Sequence, residues 1–470
     1  MASERAGIGW DVALSAHTRR ARLAALGGVW NRRVPFMLAA LPLVAILALV
    51  AVTLWISLLA NPGAGLGGGL TLDHYIALYS DPFVYTALLN TLGFAATAVA
   101  VAMLFGVAAA WLVERTDLPG KRIAYLLMTI GLLVPGFFQA MGWVFLLHPR
   151  IGMLNRWLEA LLGVEHAPLD IDTIPGMGWV EGLGLASLAF IMTSPILRML
   201  NPALEEAARV HGMGRWRTLS RVAVPLLWPA LLAAAIYVGV IALATFDVPA
   251  VIGLANKIFT LSTLVYVKVT PETGAPDYGI VGALSAALVL FSLALSWWYF
   301  RVIRLSHRYQ VVEGRSYRPT LIRLGRLRWL AWGALAGYFL LSQVLPLLIV
   351  VWAALLRYFR PVSWAALSHL TLRNFAVLDW TLLARGALNT LILMVAVPTF
   401  AVLFGFAVSW VVVRSGARGR FAFDLVAFLP HAIPNLVFAL ALVVFALFVL
   451  PPWVPFYGTV AIIAAAYVLV

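Results

Sequence analysis

The sequence predicts an all-α protein that crosses a membrane many times, and three observations carry that prediction. Only 11% of the 470 residues are charged and 63% are hydrophobic, where a soluble domain carries about 25% charge. The apolar residues stand in unbroken blocks, not in alternation. Phe36 to Ala60 holds no charge at all, and about 20 such residues span a hydrocarbon core as a helix. The basic residues stand between the blocks and are biased to one side.

Taken in order, nine complete apolar segments lie at 35–60, 86–113, 123–147, 183–197, 222–253, 279–300, 329–356, 387–413 and 421–448, and a tenth begins near Gly458 and still runs at Val470. The first is too long for a signal-peptide core and reads as a retained anchor. With the N-terminus in the cytoplasm and the segments alternating, 25 of the 33 Lys and Arg residues fall on the cytoplasmic side, as the positive-inside rule requires. The net charge of +14 is therefore topological. Nucleic acid is excluded as a partner, because the basic residues lie between spans and not on one face. Of the outer connections, 148–182 carries helical periodicity from Leu154 to Gly163 and predicts an interfacial helix. The stretch 254–278 reads as a solvated connection or a partner-facing loop.

The chain repeats itself. Asn90-Thr91-Leu92 returns as Asn389-Thr390-Leu391, and at the same offset of 299 Gly106, Trp111, Arg115, Gly120 and Pro135 match Gly405, Trp410, Arg414, Gly419 and Pro434 without a gap. Aligned Asn, Trp, Arg, Gly and Pro are not a product of apolar bias, so the transmembrane unit is duplicated, in parallel orientation. The expected organisation is a basic cytoplasmic tail at 1–34, a first transmembrane unit at 35–304, a cytoplasmic linker at 305–327 and an incomplete second unit at 328–470.

The connection after the fourth segment runs from Asn201 to Gly214. Asn201 is a good N-cap and Pro202 suits the first helical position. Glu205 and Glu206 lie near the positive helix end, and Gly212 and Gly214 are suited to a positive-φ termination. This predicts a short polar helix outside the lipid. Glu206-Ala207-Ala208 is followed after three residues by Gly212 and, nine residues later, by Val222-Ala223-Val224-Pro225. That spacing resembles the mark of permease subunits of binding-protein-dependent ABC importers, with valines where Ile and Leu are usual. Phe246-Asp247-Val248-Pro249-Ala250 and Tyr309-Gln310-Val311-Val312-Glu313-Gly314 most resemble the fused ferric iron permeases, with thiamine and aminoethylphosphonate permeases as relatives.

The resemblance implies a type I ABC importer transmembrane domain, duplicated in tandem, its second copy truncated at the C-terminus: a second motif would fall past Val470. It implies that Glu205, Glu206, Ala207, Ala208, Gly212 and Pro225 form the element that couples to a separate ATPase. It further implies two ATPase copies carrying ATP, a periplasmic substrate-binding protein, and a multi-pass place in the bacterial inner membrane among lipid. Ferric iron is the expected substrate, with thiamine, phosphonate or polyamine as alternatives.

Within the spans, Asp247 and Gln139 are the candidates for the substrate path, since polar groups inside a membrane are costly. Asp247 has a rival reading as a helix cap before Pro249. No metal site is expected: there is no Cys, and no two of the eight His have ligand spacing on one helix face. No phosphate-binding loop is present, because Gly120-Lys121 lacks the upstream Gly. The chain is therefore expected to bind no cofactor and to be no enzyme. An ion-coupled secondary transporter, the alternative of another class, would want more intramembrane ionisable groups.

Overall fold

The computed structural model describes residues 34–60, 69–199, 207–208, 210–271, 277–306, 321–415, 419–432, 435–451 and 453–469. The predicted tail, except Val34, and most of the linker lie outside them. The described residues are almost wholly helical, with three isolated bridges and no strand. Among the described residues, seven helices are long and apolar enough to cross a membrane.

The helices are α1 (Val34–Leu58), α2 (Asp73–Ser80), α3 (Pro82–Arg115), α4 (Lys121–Thr129), α5 (Gly136–Leu147), α6 (Met153–Leu162), α7 (Ile174–Met199), α8 (Val224–Ala244), α9 (Leu261–Val269), α10 (Tyr278–Ser306), α11 (Leu327–Phe339), α12 (Leu345–Ala354), α13 (Trp380–Arg414), α14 (Arg420–Ala432), α15 (Asn435–Val444) and α16 (Val460–Leu469). Short turns join several of them. The chain divides into two compact units: residues 53–383 with 431–437, and residues 1–52 with 384–430 and 438–470.

In the larger unit, α3 and α7 pack along small residues. Gly178, Gly182 and Ala186 recur every four residues on α7, so the backbones approach closely without a side chain between them. A Cβ at Gly178 would meet Thr97 at 2.5 Å, one at Gly182 would meet Val101 at 2.6 Å, and one at Gly106 would meet Ala189 at 2.6 Å. The contact numbers rise together on both helices, so α3 and α7 run parallel. The chain between Arg115 and Ile174 must therefore cross from one end of the bundle to the other. The bent pair α4 and α5 makes that crossing. The sequence reading took 123–147 as one continuous segment; the structure breaks it, with a bend of 96°, because Pro135 has no N–H to give and stands extended at φ −60, ψ 136.

Helix α8 returns antiparallel: Ala95 and Ala98 cluster with Ala242, and Ala102 with Val238. It stops at Ala244, not at residue 253 as the apolar run suggested, because Thr245 turns extended at ψ 137. A π-turn at Pro249–Gly253 and α9 follow, bent by 76°. The stretch expected to be a loop thus holds a helix with a Thr260–Thr263 capping box. Its start is tied to the first turns of α3: Asn90 Nδ2 donates to Phe259 O at 2.9 Å, and Leu261 N donates to Thr91 Oγ1 at 2.8 Å. Residues 249–269 therefore leave α8 and deliver α10 at the same end. Helix α7 is longer than the 183–197 predicted, since Glu181 and its neighbouring glycines dilute an apolar signal that the backbone nonetheless continues. A helix forms where the periodicity from Leu154 to Gly163 predicts one, as α6, ended by Gly163 at φ +66.

Helices α11 and α12 are joined by a π-turn at Leu340–Val344; α11 lies against α3 and α4, and the turn and α12 lie against α5. Gln343 meets Gln139, Gly142 meets Pro346, and Phe359 stacks on Phe145 at 4.6 Å.

In the smaller unit, α13 buries Ala407 and Val411 with Ala39, and Phe36 and Phe423 pack around them. Several helix boundaries recur 299 residues apart. Lys121 and Arg420 each open a helix, each after a glycine in the left-handed region (Gly120 at φ +68, Gly419 at φ +94). Gly136 and Asn435 open the next helices, and Arg115 and Arg414 close the long ones.

Candidate coupling site and translocation path

Glu205 and Glu206 lie outside the described residues. The C-terminal part of the predicted polar helix does not. His211 N donates to Ala207 O at 3.1 Å, and Met213 N donates to Ala208 O at 3.0 Å across Gly212. That second bond is the six-to-one closure of a Schellman motif, and it needs a left-handed residue in between. Gly212 supplies it at φ +76, with open space around its Cβ direction. Gly214 is not among the positive-φ glycines. Its carbonyl instead accepts from Thr218 N at 3.0 Å, which starts the turn Arg215–Thr218. Ala208 is buried at 4% exposure, while Ala207, Gly212 and Gly214 are exposed. A π-turn at Leu219–Ala223 leads to Pro225, exposed in the first turn of α8. Pro225 ends the motif at the start of a span, where a missing N–H costs nothing.

The segment hangs from α7, whose last turn carries Arg198. The guanidinium is bidentate to Glu114: Nε donates to Oε2 at 3.0 Å and Nη2 to Oε1 at 2.9 Å. Nη2 also donates to Tyr125 Oη at 2.9 Å, and the Tyr125 hydroxyl donates to Glu114 Oε1. The Glu114 side chain is only 7% exposed. The sequence reading did not single out these three residues. Glu114 was visible as a lone carboxylate at the end of a span, but nothing in one sequence pairs it with a residue 84 positions away.

Of the two path candidates, Gln139 is buried at 4% exposure. Its Nε2 donates to Gln343 Oε1 at 3.1 Å and to Ser342 O at 3.3 Å, so it binds α5 to the π-turn before α12. Asp247 is exposed and makes no cap bond to the turn that follows it, whose N-cap is Val248. Its carboxylate lies against Gly136, the first residue of α5. The two candidates therefore stand about one helical turn apart along α5, on different neighbours. Glu181, missed because the fourth segment was drawn too short, accepts from Thr245 Oγ1 at 2.9 Å and joins α7 to the break after α8. Among the described residues no three His, Asp or Glu side chains gather as a metal site.

The family of binding-protein-dependent transport system inner membrane components matches residues 102–307. The trehalose transport system permease protein of Mycobacterium tuberculosis is 30% identical over 254 residues, 50% of this chain and 78% of that protein. The chain belongs to this family. The matched stretch holds Glu114, Gln139, Arg198, Gly212, Pro225 and Asp247. A ferric transport system permease protein of Actinobacillus pleuropneumoniae is 23% identical over 78% of this chain. A Haemophilus influenzae protein provisionally named as a ferric transport system permease is 25% identical over 77%. The chain spans 52% and 56% of the length of these two. A solved chain of a bacterial ABC transporter that imports alginate aligns at a TM-score of 0.43, with 16% identity over 63% of this chain and 99% of that one, too loosely to argue from.

Proposed function

We propose that this chain is the permease subunit of an ABC importer, and that its 201–214 segment docks a separate ATPase. The observation that carries the reading is the Gly212 turn. Within the Glu206-Ala207-Ala208…Gly212…Pro225 spacing, the one position where a left-handed residue is required holds glycine, and the Schellman bond closes across it. A short helix with a fixed end moves as a rigid body and passes a push from a soluble subunit to the spans on either side. Hydrolysis belongs to the partner, so this chain is not itself an enzyme. Two ATPase copies and a periplasmic binding protein complete the assembly.

The same reading puts the N-terminus in the cytoplasm. Arg115 and Arg198 share one end of the larger unit, and the larger share of basic connections marks that end as cytoplasmic. The matched helix starts at Lys121 and Arg420 and at Gly136 and Asn435 support a tandem duplication of the transmembrane unit. Ferric iron is the proposed substrate, on the names of the two ferric permeases that align along three-quarters of the chain. Asp247 and Gln139 are proposed to border the path.

The test is the assembled complex in vesicles, with ATP hydrolysis and uptake of labelled ferric iron measured together. Gly212→Val, whose branched side chain resists φ > 0, is expected to keep basal hydrolysis and lose uptake. Unchanged coupling in that variant would overturn the docking assignment. Uptake of thiamine, phosphonate or polyamine in place of iron would overturn the substrate alone.

A further inference from the structure

In the chain, the coupling segment follows α7 a few residues after Arg198. A displacement of that segment reaches the spans through α7 at one end and through the turns that lead into α8 at the other, and on the α7 side it meets Arg198. Arg198 is held by two bonds to Glu114 and one to Tyr125. A planar guanidinium in a bidentate grip resists rotation as well as separation. Glu114 is the penultimate residue of α3, and Tyr125 is the fifth of α4, with its ring packed edge-on to Phe190 of α7 at 5.0 Å. The joint therefore ties α3, α4 and α7 together at one end.

What lies on the far side of Glu114 gives the joint a direction. The loop after it is clasped by residues that precede α11. Ile322 N donates to Arg115 O at 2.9 Å, Asp117 N to Ile322 O at 3.0 Å, and Leu324 N to Asp117 Oδ1 at 2.7 Å. The Trp332 indole, in α11, donates to Pro119 O at 3.0 Å, and its ring faces Gly120, whose left-handed turn leaves 3.4 Å of room. The first span after the linker is thus fastened to the loop that Glu114 anchors.

We propose that Glu114, Arg198 and Tyr125 are a transmission joint: they hand the displacement of the coupling segment to the 115–120 loop, and through Ile322, Leu324 and Trp332 to α11, so that one docking event moves spans on both sides of the linker. All three are positioning residues, and the proposal rests on the coupling reading above. The joint has the form such a device needs, because a buried carboxylate with two donors from one guanidinium has a single arrangement and transmits without slack. Asp117 is a second link in series, made to backbone and not to a side chain.

The experiment reconstitutes the full chain with its ATPase and its binding protein in vesicles, using ferric iron as the probe, and reads labelled iron taken up per ATP hydrolysed. Glu114→Gln and Arg198→Lys are expected to lower that ratio at least fivefold, the lower end of usual coupling factors, while basal hydrolysis stays near wild type. Tyr125→Phe removes one bond and is expected to have a smaller effect. Trp332→Phe, on the far link, is expected to lower the same ratio. The paired swap Glu114→Arg with Arg198→Glu should recover part of it. A purely structural salt bridge would lower protein yield, hydrolysis and uptake in proportion and leave the ratio unmoved, and that result overturns the proposal. Should the Glu114 and Arg198 variants fold too poorly to measure, Trp332→Phe decides, since it removes the indole N–H to Pro119 and the ring edge against Gly120 while keeping an aromatic side chain. Uncoupling by Gly212→Val with an unchanged ratio in all the joint variants sinks the joint and leaves the docking reading standing. No uncoupling in either set sinks the docking reading itself.

Discussion

Helices α3 and α13 share a sequence pattern in different surroundings. Both are long, both end in an arginine, and both carry Asn-Thr-Leu early and Leu-Phe-Gly later. A third of the apolar window of α3 is buried, against 6% for α13. In α3, Asn90 and Thr91 hold the start of α9, and Gly106 lies against the backbone of α7. In α13, Thr390 donates only within its own helix, to Gly386 O at 2.8 Å, and nothing approaches within 4 Å of the Cβ direction at Gly405. The two helices share residues whose work is to receive a neighbour, and among the described residues only those of α3 have the neighbour. Helix formation is written locally in each copy, while the value of a small or polar side chain depends on what packs against it.

The sharpest way to break this comparison is at the paired glycines. A Cβ at Gly106 would lie 2.6 Å from Ala186 O and from Ala189 Cβ, and neither can rotate away. Gly106→Leu is expected to cost more than about 3 kcal/mol, at the upper end of overpacking penalties. Gly405→Ala should be neutral or stabilising by up to about 1 kcal/mol, from helix propensity alone. Denaturation of the purified protein in mixed detergent reads both. Equal costs would show that α13 has a packed partner at Gly405.

The next pair is threonine. Thr91 is 3% exposed and accepts the N–H of Leu261, so Thr91→Val would leave a buried donor unpaired at about 1–3 kcal/mol. Thr390→Val, on an exposed face, should fall within about 0.5 kcal/mol of wild type. The same denaturation series decides it, and a large effect at Thr390 would contradict the asymmetry.

The left-handed glycines sharpen the comparison from the other direction, because there the copies should agree. Gly120→Ala and Gly419→Ala each impose the left-handed penalty of about 1 kcal/mol, and neither site is closely crowded: Trp332 approaches the Gly120 Cβ direction no nearer than 3.4 Å, and nothing approaches that of Gly419. Unequal losses would mean that the turn at Gly120 has a role beyond its backbone angle, as its contact with Trp332 would allow.

Much of this was legible in the sequence. The spans, the charge bias, the offset of 299 and the turn at Gly212 all depend on residues close together in the chain or on composition, and composition is what lipid selects. Five features were not. The bend at Pro135 and the end of α8 at Ala244 fall inside apolar runs, and hydropathy cannot see a change of direction. Helix α9 is short, and its apolar residues serve contacts with α3 that no window reveals. The joint of Glu114, Arg198 and Tyr125 joins three separate elements; each residue alone is ordinary, and only their meeting gives them meaning. Glu181 was lost for a simpler reason, since a carboxylate among glycines pulls a hydropathy window below threshold even where the backbone stays helical.

The smallest expected effect lies at the starts of the two long helices. Asp81 receives one backbone N–H, from Phe83 at 2.9 Å. Asp379 Oδ1 receives three donors, the Thr381 hydroxyl at 2.6 Å, Thr381 N at 2.9 Å and Leu382 N at 3.1 Å. Those bonds, the Thr381 hydroxyl foremost, hold the Asp379 carboxyl below its ordinary value of 3.8, because they are made to the charged form. A depressed folded-state value means that the contribution is complete above the ordinary value and is lost as pH falls through the lower one. Asp379 is fully exposed, so the effect is local fraying of α13 and not global unfolding. Amide exchange over Thr381 to Leu383, followed from about pH 5 to about pH 3 and corrected for intrinsic rates, should show protection falling only at the acid end. Asp379→Asn should remove that acid step, and Thr381→Val should move it upward. An acid step that persists in Asp379→Asn would assign it to another group, and with it would go the claim that the start of α13 is more firmly capped than that of α3.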